Sequence, residues 1–203
     1  LRGVPGLRAL LSDRSLAPAV SAAVETVDKM VAAIESHLED VDRVDELEAV
    51  NAGLVAVKDA AWALERDRLR AAREVVQLAG PDLPASAVDA FFSLQQALSN
   101  LDRLEVRGRD SAGLHVLVRD HGLDLASPAI TALLGVRSVD PLFMSGSVRT
   151  PEGRLGFVYK AAAEIGELGD NTAAIRAAIA GDELLQLALR GPDAEATVLA
   201  HTR

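Results

Sequence analysis

Two short polar clusters carry the residue types in this chain that could do chemistry: Glu105-Val106-Arg107-Gly108-Arg109-Asp110-Ser111, and His201-Thr202-Arg203. Each adjoins a run with the two-residue period of a strand. From Ala112 to Arg119, Leu114, Val116 and Val118 face one way while His115 and Leu117 face the other, and "ATVLA" leads into the second cluster. A polar cluster at a strand end sits on the rim of a sheet, where a rigid scaffold presents binding groups. Arginine suits such a rim, because its planar fork holds a carboxylate through two parallel hydrogen bonds. A plainer reading stays open beside this one, in which Arg107 or Arg109 pairs with Asp110 or Glu105 inside a helix-to-strand turn and Arg203 is an unconstrained terminal residue.

Several other chemistries are excluded or disfavoured. The chain has no cysteine, so disulfides, thiolate nucleophiles and cysteine-ligated metals are absent from it. Its four histidines, His37, His115, His121 and His201, never fall at the spacing that places two imidazoles on one helical face, so no metal site is expected. His115 and His121 read as a strand-face and a loop histidine. A net charge of −9 argues against a phosphate backbone as partner. The one basic run, Arg66 to Arg73, reads as a solvated helix face with Glu65 and Glu74 interleaved. No apolar run reaches the roughly 18 residues of a membrane span, and Leu1 to Leu11 lacks the features of a secretory signal. The expectation is a cytoplasmic protein with neither nucleic acid nor membrane as partner.

The elements that must position the clusters differ in texture along the chain. Apolar residues three and four apart, Val20, Val24, Val27, Val31 and Ile34, predict a helix after a Ser15 cap. Leu47, Val50, Leu54, Val57, Ala61, Leu64 and Leu69 extend a second helical pattern from Val44 to Leu78, stopped by Gly80 and Pro81. Two such helices make a hairpin that cannot bury both of its faces alone. A third helix, from a Ser86 cap to about Leu101, carries Phe91, Phe92, Leu94 and Leu98 and is expected to be the most buried. Beyond it come the strand at Ala112, a short helix opened by Ser127 and Pro128, and a hairpin turning at Thr150 to Gly153. Two helices opened by Asp170 or Asn171 and by Asp182 follow, and then the last strand. The fold class is α+β, with a helical hairpin module at 1–84 and a mixed segment at 85–203. A leading Leu and a strand that ends at Arg203 suggest a domain cut from a larger polypeptide.

"RLEVRGRDSAGL" resembles the "RLEYRGYDSAG" segment, and "LAHTR" the start of the "AHTRW" segment, of the glutamine-hydrolysing domain of glutamine:fructose-6-phosphate aminotransferases, the glucosamine-6-phosphate synthases. The order agrees, and Gly156 to Ile175 loosely resembles a stretch between those motifs. The resemblance runs roughly over Phe91 to Leu123 and Phe157 to Arg203, under half of the chain. The helical module, and the hairpin near Thr150, look like insertions.

The resemblance implies a partial class II glutamine amidotransferase domain of the N-terminal-nucleophile (αββα) hydrolase fold, in which two sheets lie between helices. In that family an N-terminal cysteine attacks the side-chain amide of glutamine, its α-amino group acts as base, an Asn-Gly pair supplies the oxyanion hole, and ammonia passes to a sugar-phosphate acceptor bound by a separate domain. No cofactor is called for, and a homodimer is among the expected assemblies. Position by position, Arg203 matches the arginine that holds the glutamine α-carboxylate, and Thr202 and His201 match its neighbours in the pocket wall. Arg107 matches the arginine beside the nucleophile, with Gly108 permitting the turn and Asp110 and Ser111 fixing it by local hydrogen bonds. Val106 and Arg109 stand where the pattern has tyrosines. The nucleophilic cysteine, the Asn-Gly pair, the tryptophan after the arginine and the aspartate for the glutamine amino group are missing from this sequence, so this chain alone is expected to be inactive. The rival expectation is a non-catalytic helical interaction or scaffold protein on a degenerate amidotransferase fold.

Overall fold

Stripes of Val, Leu and Ala build the described residues before about position 70 as helices. The structure, a computed structural model, describes residues 3–38, 44–162 and 167–203. The end of the first helical pattern, 39–41, and positions 163–166 of the Gly156-to-Ile175 resemblance lie outside them. The chain forms two compact units, 1–73 and 74–203, where the change of sequence texture lies near Pro84. No helix among the described residues is long and apolar enough to cross a membrane.

The first unit holds α1 (Gly3–Ser12), α2 (Leu16–Leu38) and α3 (Val44–Trp62), and α2 packs along α3. The Ser15 hydroxyl does not cap α2. It donates to Asp13 Oδ1 at 2.6 Å, and only its carbonyl serves the helix, accepting from the Ala19 amide. The pattern expected as one helix to Leu78 is interrupted by a π-helical stretch at Ala63–Leu69, before α4 (Arg70–Ala79). The apolar spacing explains it. Between Leu64 and Leu69 the step widens to five residues, and an i→i+5 turn is what returns Leu69 to a buried position, at 3% exposure. The hairpin does not bury all of its stripe. A cleft of about 420 Å³ exists elsewhere, but here a groove of about 330 Å³ opens between Val20, Ala23, Val24 and Val27 of α2 and Val57, Ala60 and Ala61 of α3.

The second unit is mixed helix and sheet. It holds α5 (Val88–Leu104), β1 (Ala112–Arg119), α6 (Pro128–Leu134), β2 (Val148–Arg149), β3 (Leu155–Ala161), α7 (Asp170–Ala180), α8 (Glu183–Leu189) and β4 (Glu195–Thr202). The strands form one antiparallel sheet in the order β2-β3-β1-β4. On one face, Leu114, Val116, Val118, Leu155, Phe157 and Tyr159 are buried, with α5 against β4 and α7 against β3 and β1. Phe91, Leu94, Leu98 and Leu101 of α5 are fully buried, as its composition predicts. Its start differs: Ser86 lies in a 3-10 turn (Ala85–Ala87), and no side chain caps the helix. The other face carries His115, Leu117, Val158 and the exposed Leu199, while the main helix contacts of the described residues, α5 on β4 and α7 on β3 and β1, are accounted for by the buried face. The described residues of this unit thus hold one sheet with helices packed on its buried face, where the resemblance implies two sheets between helices.

Two short helices follow their sequence signals, but α7 does not open on a cap from Asp170 or Asn171: its N-cap is Gly169, with no side-chain cap bond. Ser127 caps α6 by accepting from the Ile130 amide, with Pro128 in the first turn, and Asp182 caps α8 by accepting from the Leu185 amide. Between β2 and β3, Gly153 takes φ +77, and Glu152 beside it is also left-handed at φ +52. Asp182 does more than cap. Its carboxylate accepts two bonds from the Arg137 guanidinium, at 3.1 and 2.5 Å, and one from the Tyr159 hydroxyl at 2.7 Å. Arg137 also donates to the Gly146 carbonyl at 2.8 Å and stands over the Phe157 ring. Burial works against the Arg137 charge, but the Asp182 hydrogen bonds and attraction outweigh it and raise its pKa. Burial first, and then the Asp182 charge, push the Tyr159 hydroxyl well above its ordinary 10.0.

Replacing Asp182 with Ala removes a cap and strands a half-buried guanidinium, so it is expected to destabilise the unit by about 2–4 kcal/mol. Tyr159→Phe is expected to cost about 1 kcal/mol at neutral pH. Because the folded hydroxyl resists ionisation, the stability it contributes is whole below pH 10.0 and declines as the pH rises beyond that. Denaturant melts between neutral and strongly alkaline pH should therefore show the wild-type advantage over Tyr159→Phe shrinking above pH 10; a constant gap would contradict this account.

Candidate functional site

The two polar clusters meet. The register of β1 against β4 pairs Ala112 with Thr202, and one step further the ladder continues beyond both strands. The Arg203 amide donates to the Ser111 carbonyl at 2.9 Å, while the Arg203 carbonyl accepts from the Asp110 amide at 2.8 Å and the Ser111 amide at 3.2 Å. Residues some ninety positions apart in the sequence thereby share one end of the sheet. This is a main-chain junction: the hydrogen bonds by which Asp110 and Ser111 shape the turn run from their amides to Arg203, and no local side-chain bond from either is present among the described residues.

Gly108 has a different reason to be glycine from the one its turn suggests. It is not among the residues at positive φ. A Cβ there would lie 2.5 Å from Thr202 Oγ1, 2.7 Å from Thr202 Cβ and 3.0 Å from the Arg203 amide nitrogen. The glycine lets the loop after α5 lie against the end of β4, a close approach that any side chain would block. The loop itself leaves α5 through a tight turn, in which the Arg107 and Gly108 amides both donate to the Leu104 carbonyl, at 2.9 and 3.2 Å.

The site arginines are left available. Arg107 and Arg203 are exposed, and no acidic side chain among the described residues pairs with either. The turn-internal pairing of Arg107 with Asp110 or Glu105 is not what forms. The buried Glu105 carboxylate instead accepts from the Gly169 amide at 2.6 Å. The neighbouring Arg109 carbonyl accepts from the Asn171 carboxamide at 3.0 Å. Val106 is exposed. Thr202 is half-buried against Gly108, and His201 is exposed.

His201 faces away from the helices. Its Cε1 would come within 2.3 Å of a Cβ on Gly113, so the ring reaches over β1 at a glycine that leaves room for it. With His115, Lys160, Phe143 and Leu199 it lines a cleft of about 420 Å³ on the open face of the sheet. His115 is half-buried on the strand. His121 is a buried loop residue: the Leu123 amide donates to its Nδ1 at 3.0 Å, which leaves Nε2 as the donor to the Gly153 carbonyl at 2.9 Å. That is a fold-holding histidine. No cluster of three or more metal-ligating side chains occurs among the described residues.

Glu105, Gly169 and Asn171 belong to this site, and the motif reading passes over their part in it. A signal existed for one of them: an acidic residue at the end of α5 opposes the helix dipole and calls for a partner elsewhere. Asn171 gave only its place near a helix start. No protein-family model matches the chain, and neither the curated proteins nor the solved structures contain a match to it.

Gly108→Ala tests the junction directly. The new Cβ forces the loop off β4, with an expected loss of about 1–3 kcal/mol. Amide exchange should quicken at Asp110, Ser111 and Arg203 while Val116, in mid-strand, keeps its protection. Unchanged exchange at the three amides would show that the close approach is not needed.

Proposed function

We propose that this chain is part of a glutamine amidotransferase, the glutamine-hydrolysing portion of an aminotransferase that supplies ammonia for amino-sugar phosphate synthesis, of the glucosamine-6-phosphate synthase kind. The observation that carries the reading is the junction of the two motifs: the segments that resemble the family are held together at one sheet end, and the arginine matched to carboxylate binding is fixed by its backbone, with no partner for its guanidinium among the described residues. Patterning alone would not require two clusters so far apart in sequence to be bonded to each other.

In this reading the Arg203 fork takes the α-carboxylate of glutamine, Thr202 and His201 wall the pocket, and Arg107 lies beside the reacting amide. Gly108, Asp110 and Ser111 support the site. The helical unit at the start of the chain and an N-terminal-nucleophile fold completed by further layers belong to the same proposal. The chain contains no cysteine, so the nucleophile has to come from polypeptide outside these residues, and the acceptor from a separate domain. A second reading, a helical interaction or scaffold protein, draws on the unfilled apolar groove between α2 and α3.

Glutamate release from glutamine by the complete polypeptide that contains this chain separates the two. Release abolished by thiol alkylation is expected. Arg203→Ala should then raise KM for glutamine about 30- to 100-fold, the loss of a charge-assisted pair of hydrogen bonds. A well-folded complete protein that releases no glutamate would favour the scaffold reading.

A further inference from the structure

The loop from Glu105 to Ser111 is gripped from two sides. On one side, its Asp110 and Ser111 amides hold the Arg203 carbonyl. On the other, two buried polar side chains, each at 2% exposure, tie it to the start of α7: Glu105 accepts from the Gly169 amide and Asn171 donates to the Arg109 carbonyl. These bonds join residues that lie more than sixty positions apart in the chain.

Neither of the two buried groups is where helix stability alone would put it. Glu105 places a carboxylate just past the last turn of α5, where the helix dipole opposes a negative charge, and a buried carboxylate is costly without strong hydrogen bonding. Its favourable partner is the amino end of α7, which begins at Asp170 after Gly169 at φ +101. Asn171 is buried in the first turn of the same helix, and its carboxamide donates to the Arg109 carbonyl of the loop. Arg107 sits midway between the two tethered points, exposed and without an acidic partner among the described residues.

We infer that Asn171 and Glu105 are positioning residues of the carboxylate site: the start of α7 fixes the loop, and through its backbone bonds the loop fixes Arg107 and Arg203 relative to each other. This rests on the reading of Arg203 as the residue that binds the glutamine carboxylate. It goes beyond that reading, because it assigns part of the site's geometry to a helix that touches no substrate. Fixing a binding constellation through neighbours that are themselves hydrogen-bonded and buried is how small errors of geometry are avoided.

Two substitutions separate hydrogen bonding from packing. Asn171→Asp keeps the shape but an ionised carboxylate has no proton to donate to the Arg109 carbonyl; Glu105→Gln removes the charge but retains an oxygen for the Gly169 amide. In the chain of 203 residues, Asn171→Asp is expected to quicken amide exchange at Asp110, Ser111 and Arg203 about tenfold, the loss of one hydrogen bond's worth of local stability. Glu105→Gln is expected to stay close to wild type. In the complete polypeptide, Asn171→Asp should raise KM for glutamine about tenfold with kcat within about threefold, the signature of lost binding geometry, and Glu105→Gln should restore nearly normal values where Glu105→Ala does not. An active wild type whose KM is unmoved by Asn171→Asp overturns the inference, even if exchange quickens, since the tether would then be structural alone. A wild type that releases no glutamate overturns the underlying reading, and the inference with it.

Discussion

The register between β1 and β4 is the constraint on which the candidate site depends. β1 is paired on both sides, with β3 and with β4. Its alternate residues Leu114, Val116 and Val118 have to face the helices, because that face carries the core. A slip by one residue would turn His115 and Leu117 inward and expose the core set. Hydrophobic patterning therefore rules out slips by one residue; in the register that forms, Ala112 pairs with Thr202, and the next pair beyond it is Ser111 with Arg203.

Buried polar groups divide into two kinds in the second unit. Asp182 satisfies itself several times over, with Arg137, Tyr159 and the Leu185 amide, and in doing so ties the segment after α6 to the sheet and to α8. A second knot joins Gln95 and Asp102 of α5 to Arg176 of α7, with Arg176 Nη1 donating to Gln95 Oε1 at 2.6 Å and the Asp102 carboxylate 3.8 Å from Nη2. Glu74 joins the same knot, accepting from the Gln95 carboxamide and lying 3.7 Å from Arg176. These clusters sit between packed elements and explain how the helices hold to one another. The bonds of Glu105 and Asn171 are different, because their far ends lie on main chain in the loop and at the opening of α7. They constrain a backbone path rather than a packing surface.

Much of the fold was legible because its signals are local. The alternation from Ala112 to Arg119, the Ser127-Pro128 and Asp182 helix starts and the left-handed Gly153 depend on neighbours a few residues away, and each stands where its pattern puts it. Ser86 and Ser15 show the limit: each has the type of a cap, but Ser86 lies inside a 3-10 turn and the Ser15 hydroxyl is taken by Asp13. The π stretch was encoded in a five-residue apolar step, which reads as an irregularity in a 3.6 period unless the step itself is given weight. The two polar clusters could be picked out from their residues. Their contact could not, and neither could the reason for Gly108, which lies in Thr202 rather than in any dihedral of its own. Glu105 with Gly169, and Asn171 with Arg109, are partners that only the packing of α7 beside the loop brings together.

What the junction supplies to a ligand is order in the main chain, not in the side chain. An unpaired, exposed arginine keeps most of its rotamer freedom, and immobilising such a side chain on binding costs roughly 0.5–1.5 kcal/mol. A flexible backbone beneath it would add of the order of 1–2 kcal/mol for each residue to be fixed. Here the Arg203 backbone is already engaged through both its amide and its carbonyl, so that second cost is met in folding. Among the described residues no acidic side chain pairs with that guanidinium, so no such ion pair has to be broken before a ligand arrives. In the proposed reading both features favour an anionic group at the strand end, and the ordered backbone traces to the extension of the β1 and β4 ladder by one residue pair beyond the strands.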